Sequence, residues 1–247
     1  SIFNKQKKQF ESYYQKNELN TGLSQNLVWE LFIDKSNNLW VGTFEGGLNM
    51  APLNKFKPIV FKGFTNNDVS IENVLCTFED HENNVWVGTQ ESGIFKINYQ
   101  DLTIRNIFID TLEAGINKVN SITQDKDKRI WFGTDYGALK YNPKSKIFTH
   151  YSSNKNGGIK SNSIKSILAD KNGNIWLGYF MQGINVIPFS ETYKEVSKAK
   201  IKTYQQKTND TNSLPSNFIE IIYEDIAGFI WLGSKGSLDK YIPEKDQ

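Results

Sequence analysis

The sequence predicts an all-β fold made of five repeats of four short strands each, on three observations. Tryptophans recur as Trp40, Trp86, Trp131, Trp176 and Trp231, at spacings of 46, 45, 45 and 55 residues. Six residues before each lies an aspartate (Asp34, Asp80, Asp125, Asp170, Asp225), and two after each a glycine (Gly42, Gly88, Gly133, Gly178, Gly233). No stretch sustains a 3.6-residue apolar period, apart from a weak one at Ser190–Lys198. Four strands in about 45 residues is the arithmetic of a β-propeller blade.

Each element follows from local composition. An apolar β-branched residue stands six before each Asp: Val28, Val74, Val119, Ile164, Ile219. Segments such as Val28–Ile33 and Ile164–Ala169 therefore suit an inner strand. Eight before the Asp stands Asn26, Asn117, Asn162 or Asn217, with Glu72 the exception. A turn opened by the Asp follows, whose carboxylate accepts turn N–H groups. The second strand carries the Trp (Leu39–Thr43 and its equivalents), and a Gly-containing turn leads to the third. Third strands are expected at Gly47–Ala51, Gly93–Asn98, Ala138–Asn142, Gly183–Ile187 and Ser237–Ile242. More polar fourth strands are expected at Phe56–Lys62, Leu102–Ile109, Lys146–Tyr151 and Ala199–Gln205.

The fifth repeat stops at Tyr241-Ile242-Pro243 without a fourth strand, while Lys8–Tyr14 resembles Lys146–Tyr151. Unpaired edges invite aggregation. The expectation is thus one β-propeller domain over residues 1–247, of five four-stranded blades, with Lys8–Tyr14 pairing near Leu238–Ile242 to complete the last. The competing reading is five blades excised from a larger ring.

Composition narrows function. The 247 residues carry 29 basic and 27 acidic side chains, a net charge of +2, with no basic block for neutralising phosphates. Nucleic acid is therefore not an expected partner. One cysteine, Cys76, excludes an internal disulfide or a thiolate zinc cluster, and two histidines, His81 and His150, leave little for a His-based site. No apolar run approaches the ~18 residues of a membrane span. The chain opens Ser-Ile-Phe-Asn, without an initiator Met or an apolar leader, and reads as a processed or excised piece. Asp170-Lys-Asn172-Gly-Asn174 superficially matches a calcium loop, but Ile175 and Met181 occupy the positions of its required Gly and Glu. No cofactor and no metal is expected.

The pattern Asn-x-Val-x-x-Ile-x-x-Asp-x-x-Asn-x-Leu-Trp-Val-Gly-Thr-x-x-Gly-Gly-Leu resembles the two-component regulator propeller repeat, most closely at Asn26–Leu48 and Asn162–Gly183. The resemblance extends over essentially the whole chain. It implies the extracytoplasmic, in many cases periplasmic, sensor of a hybrid histidine kinase, attached to a membrane only through other parts of a longer protein. It further implies recognition of oligosaccharides, and says nothing about which residues bind them.

Residues common to all five repeats are expected to build blades: the Trp as packing, the Asp as turn caps, the Gly for close backbone approach. Function is expected where the repeats disagree. One set of differences lies five before each Asp (Trp29, Leu75, Asn120, Lys165, Glu220), beside the varied Asn73, Lys118, Ser163 and Phe218. The other lies between strands two and three: Phe44, Glu45, Gln90, Glu91, Asp135, Tyr136, Tyr179, Phe180, Met181, Gln182, Ser234 and Lys235. With the conserved-side Val or Ile packed inward, period-two alternation turns the first set toward the channel or its rim. From these, the ligand-binding candidates are Trp29, Phe44, Glu45, Glu91, Asn120, Asp135, Tyr136, Lys165, Tyr179, Phe180, Gln182, Glu220 and Lys235. Rings with amides and charges suit a polar, hydroxyl-rich ligand such as an oligosaccharide. No catalytic residue is assigned. The alternatives are a protein-docking or homodimerisation scaffold and, in third place, a lyase or glycosidase using carboxylates such as Glu45 and Glu91.

Overall fold

A computed structural model describes residues 1–15, 22–53, 59–61, 71–107, 117–153 and 158–242. They form two compact units, Ser1–Ile107 and Phe108–Gln247. The first holds β1 (Ile2–Asn4), β2 (Gln9–Glu11), β3 (Val28–Ile33), β4 (Asn38–Thr43), β5 (Gly47–Pro52), β6 (Ile59–Phe61), β7 (Val74–Glu79), β8 (Val85–Thr89), β9 (Ile94–Ile97) and β10 (Ile104–Asn106). The second holds β11 (Val119–Gln124), β12 (Ile130–Thr134), β13 (Gly137–Asn142), β14 (Ile147–Tyr151), β15 (Ile164–Ala169), β16 (Ile175–Tyr179), β17 (Ile184–Ile187), β18 (Lys202–Tyr204), β19 (Ile219–Glu224), β20 (Ile230–Ser234) and β21 (Ser237–Lys240). The strands pair antiparallel throughout: β1 with β2, and meanders β3 to β6, β7 to β10, β11 to β14, β15 to β18 and a three-stranded β19 to β21, while Gln15 and Leu23 form an isolated parallel bridge. Parts of the expected fourth strands, at 56–58, 62 and 108–109, lie outside the described residues.

One joint recurs in every repeat sheet, buried in the first four and half-buried in the fifth. Oδ1 of the aspartate accepts the N–H groups that close the first turn: in the first repeat those of Ser36 and Asn38, at 2.9 and 2.8 Å. Oδ2 accepts the indole Nε1–H of the tryptophan at 2.8–2.9 Å in all five. Six residues separate the two because the turn and first half of the second strand lie between them. The indole thus finds a partner while its ring enters the core. Burying about 200 Å² of each ring contributes roughly 5 kcal/mol before entropy is counted. Outer-strand aromatics cover three of these rings: Phe61 on Trp40, Tyr151 on Trp131 and Tyr204 on Trp176, with centroids 5.6, 5.2 and 6.5 Å apart.

Glycine sets how closely consecutive sheets approach. A Cβ on Gly42 would lie 2.7 Å from Val74, one on Gly133 2.7 Å from Ile164, and one on Gly178 2.7 Å from Ile219. The β-branched residue opening each of these inner strands sits where the preceding repeat has no side chain. The cores form around these joints: Trp40, Leu48, Phe61, Val74, Val87 and Phe95 in the first unit. In the second, Trp131, Tyr151 and Ile164 anchor one cluster, and Trp176, Ile219 and Leu232 another. Turn-to-turn bonds add to them, such as Lys171 Nζ donating to the carbonyls of Asp225 and Ile226 at 3.1 and 2.8 Å.

Two expectations are corrected. Lys8–Tyr14 does not complete the last repeat: β2 pairs with β1, and the sheet ending in β21 has three strands among the described residues. The likeness to Lys146–Tyr151 belongs to a whole hairpin. Asn4 faces Gln9 across a four-residue loop with Lys8 at φ 52°, as Asn142 faces Ile147 with Lys146 at φ 60°. Closing so short a loop costs far less entropy than pairing with the far end of the chain. The segment Ser190–Lys198 is not α-helical but falls in two 3-10 turns, Phe189–Tyr193 and Val196–Lys198. This insertion, which stretches the last Trp spacing, docks through Arg129. That guanidinium donates to Asp125 Oδ2 and Thr192 Oγ1 at 2.7 Å each and lies 4.6 Å from the Tyr193 ring centroid.

Candidate ligand-binding rim

The variable positions are assembled by one backbone irregularity repeated five times. Register shifts between Val28 and Glu30, Val74 and Cys76, Val119 and Ser121, Ile164 and Ser166, and Ile219 and Ile221. The residue passed over is Trp29, Leu75, Asn120, Lys165 or Glu220. A β-bulge, not strict alternation, therefore aims these side chains. The strand opening each sheet pairs with the end of the second strand, as Val28 does with Thr43. The bulge and the turn after strand two thus share one end of the sheet. Phe44 N–H closes that end on the Leu27 carbonyl at 3.0 Å.

This geometry pairs three of the five bulge residues with the one fifteen positions later. Trp29 and Phe44 pack with ring centroids 4.8 Å apart. Asn120 Nδ2 donates to Asp135 Oδ1 at 2.8 Å. Lys165 Nζ stands 5.6 Å from the Phe180 centroid. The same offset joins Glu220 to Lys235 in sequence, but Lys235 Nζ lies over Phe218 instead, at 5.8 Å.

In the first unit, Glu45 N–H donates to Asn73 Oδ1 at 2.8 Å, and Glu45 and Glu91 expose their side chains in the turns. In the second, Asp135 is gripped by Lys118 at 3.0 Å as well as by Asn120. Partial burial pushes its carboxyl upward, yet the bonds from Lys118 and Asn120 and the charge of Lys165 outweigh that and leave it below the ordinary aspartate value. Phe180 packs edge-on against Phe218 at 5.2 Å. Tyr136 is exposed, and its carbonyl bonds the His150 ring at 2.7 Å. Gln182 is held by Gln205 at 3.2 Å. Tyr179 is a correction: it is fully buried, its hydroxyl donating to Asn185 Oδ1 at 2.8 Å, because a core slot filled elsewhere by Thr or Ser here takes a phenol. Glu220 is exposed at its bulge.

The repeated asparagine has a part that its recurrence did not disclose. Oδ1 of Asn26, Asn162 and Asn217 accepts the N–H of Gln15, Ser153 and Gln206 at 2.7–2.8 Å, fixing the segment that leads into the inner strand. With both oxygens of each repeated aspartate taken by turn and indole donors, the varied rim is where side chains remain for a ligand. Among the described residues no cluster of three or more His, Cys, Asp or Glu could hold a metal, and no helix is long and apolar enough to cross a membrane.

An all-β repeat protein with a bulge-built rim is the class that fold and site define. The chain is built of two component regulator propeller repeats, the family model matching residues 22–45, 68–91, 115–136, 158–180 and 213–236. It is 34% identical over 143 residues to "Histidine kinase P4" of Formosa agariphila, 57% of this chain and 10% of that protein. Its fold is similar to the extracellular domain of the putative hybrid two component system BT3049 from B. thetaiotaomicron. That match has a TM-score of 0.74 and 22% identity, covering 96% of this chain and 31% of that one. The corresponding domain of BT4673 from the same organism gives 0.71 and 22%, covering 87% and 27%. The chain thus spans about a tenth of the curated relative and under a third of these solved chains.

Proposed function

We propose that this chain is a non-enzymatic recognition domain in the extracytoplasmic sensor of a hybrid two-component regulator, its five repeats serving as blades of one propeller domain. It binds an oligosaccharide or similarly polar ligand at the rim. The observation that carries this reading is the division of labour in every repeat. The Asp, Trp and Gly are consumed in joints, while bulges bring unlike residues (Trp29 with Phe44, Asn120 with Asp135, Lys165 with Phe180) to one sheet end. Aromatic faces cover the apolar side of a sugar ring, and amides and carboxylates satisfy hydroxyls. The family and its histidine-kinase relative support the signalling context. Isothermal calorimetry against a panel of glycan fragments tests the reading: saturable binding by at least one is expected, and none by any contradicts it.

A second reading, a dimerisation or docking scaffold, is favoured by the exposure of Ile221, Tyr223 and Leu238, which with Trp231 and Gly233 line a shallow pocket of about 300 Å³. Sedimentation showing a concentration-dependent dimer with no saccharide binding would favour it over the first.

A further inference from the structure

We propose that the rim of the second unit selects an anionic saccharide, one bearing a carboxylate or a sulfate, through Lys165 and Lys235. This rests on the glycan-sensor reading and names its ligand class. The two ammonium groups end an aromatic relay: Lys165 Nζ over Phe180 at 5.6 Å, Phe180 edge-on to Phe218 at 5.2 Å, and Lys235 Nζ over Phe218 at 5.8 Å.

Among the described residues neither lysine makes an ion pair. Asp135, the carboxylate that acts on Lys165 at longer range, is bound at 3.0 Å by Lys118 and at 2.8 Å by Asn120. Glu220 is exposed and pairs with neither lysine. Asp239, at the turn that carries Lys235, has its Oδ2 taken by the hydroxyls of Ser234 and Ser237 at 3.3 and 2.9 Å. The carboxylates of Asp135 and Asp239 are thus engaged by other donors, and neither neutralises Lys165 or Lys235 by direct pairing.

Ring faces hold an ammonium only weakly, so they position the charge without neutralising it. An incoming carboxylate or sulfate gains charge-assisted hydrogen bonds that a neutral hydroxyl does not make. Lysine suits this task as a compact, swivelling point charge for anions of differing shape. At the bulge position the other repeats carry Trp29, Leu75, Asn120 and Glu220, so the cation is peculiar to one sheet and not part of blade construction.

Calorimetric titration of the full chain with oligogalacturonate and with a chondroitin sulfate tetrasaccharide, beside neutral cellotetraose and xylotetraose, tests this. The expected result is binding of at least one anionic probe about tenfold or more tighter than either neutral one. That binding weakens as salt is raised and falls about tenfold in Lys165→Met or Lys235→Met. Thermal melting of each variant at the wild-type temperature shows that the loss is not unfolding. If the uronate binds and the sulfate does not, or the reverse, the inference stands and the anion is identified. Neutral probes binding as tightly, or both methionine variants binding as wild type, overturns the inference and leaves the sensor reading intact. No binding by any of the four, with none in the wider panel, removes both.

Discussion

Trp131 Nε1 donates to Asp125 Oδ2 at 2.8 Å, and Oδ1 of the same carboxylate caps the turn through the N–H groups of Asp127 and Arg129 at 3.0 Å each. One side chain therefore joins a turn, a core ring and, through the Arg129 guanidinium, the insertion at Phe189–Tyr193. Asp125→Ala should lower unfolding free energy by about 3–5 kcal/mol, because it leaves the Arg129 Nε–H, the indole N–H and two turn N–H groups without their acceptor, while Asp127 and Thr192 still hold the rest of the guanidinium. Trp131→Phe keeps an aromatic ring but loses the donor, and should cost about 2–3 kcal/mol. Urea denaturation followed by circular dichroism ranks the two; equal stability of Asp125→Ala and wild type would contradict the joint.

Gly178 and Ile219 test the close approach of neighbouring sheets. A Cβ at Gly178 meets Ile219 Cγ2 at 2.7 Å, so Gly178→Ala should destabilise by about 1–3 kcal/mol through overpacking. Shortening Ile219 removes the 2.7 Å contact and leaves only the looser ones, to Ile222 Cδ1 at 3.1 Å and Ile219 Cβ at 3.3 Å. A double-mutant cycle with Ile219→Ala should therefore show coupling of at least ~0.5 kcal/mol, and strict additivity would mean that the two do not touch.

The hairpin of β1 and β2 pairs with itself, and Phe3 and Phe10 are 48% and 71% exposed. Deleting residues 1–12 should thus change stability by no more than ~0.5 kcal/mol. A large fall in melting temperature would restore a long-range role for this segment.

Lys140 offers a pH test. Burial, helped by the charge of Arg129 and opposed by Asp125, lowers its amine from 10.5 to about 8. Between those values the folded chain binds fewer protons than the unfolded one, so stability rises with pH across the window, and below about 8 the penalty is complete. Measurements stop at about pH 9.5, short of the ordinary phenol range. Beyond it Tyr151, pushed up to about 12 by burial, makes stability fall as pH rises. Wild type should gain stability from pH 7.5 to 9.5, on the order of these bounds, relative to Lys140→Met. Parallel profiles would refute the assignment.

How much of this was legible in the sequence depends on repetition. Five copies of Asp, Trp and Gly disclosed the strands and the turn caps, since the same physical need recurs five times. The bond between Asp and Trp was implicit in their constant six-residue offset, but an offset does not say that Nε1 meets Oδ2. The bulge was hidden because a passed-over residue keeps the strand's spacing; Trp29 with Phe44 and Asn120 with Asp135 become visible as pairs only once fifteen residues are known to separate them. Tyr179 misled because it sits in the variable turn by position and in the core by volume. The pairing of Lys8–Tyr14 failed because a strand pattern carries no information about its partner, whereas the short loop before it did.

The central claim is that the repeated tryptophans are joints and the rim is separate from them. An amide–indole nitrogen–proton correlation spectrum with hydrogen exchange, run with and without a saturating saccharide, tests it most directly on the six indole N–H groups. Trp40, Trp86, Trp131 and Trp176 should exchange slowly and hold their shifts when ligand is added. Trp231, half-buried, should be intermediate, and Trp29, 39% exposed at its bulge, should exchange fast. Fast exchange at the four buried indoles, or ligand-induced shifts at them comparable to those of rim amides, would contradict the account.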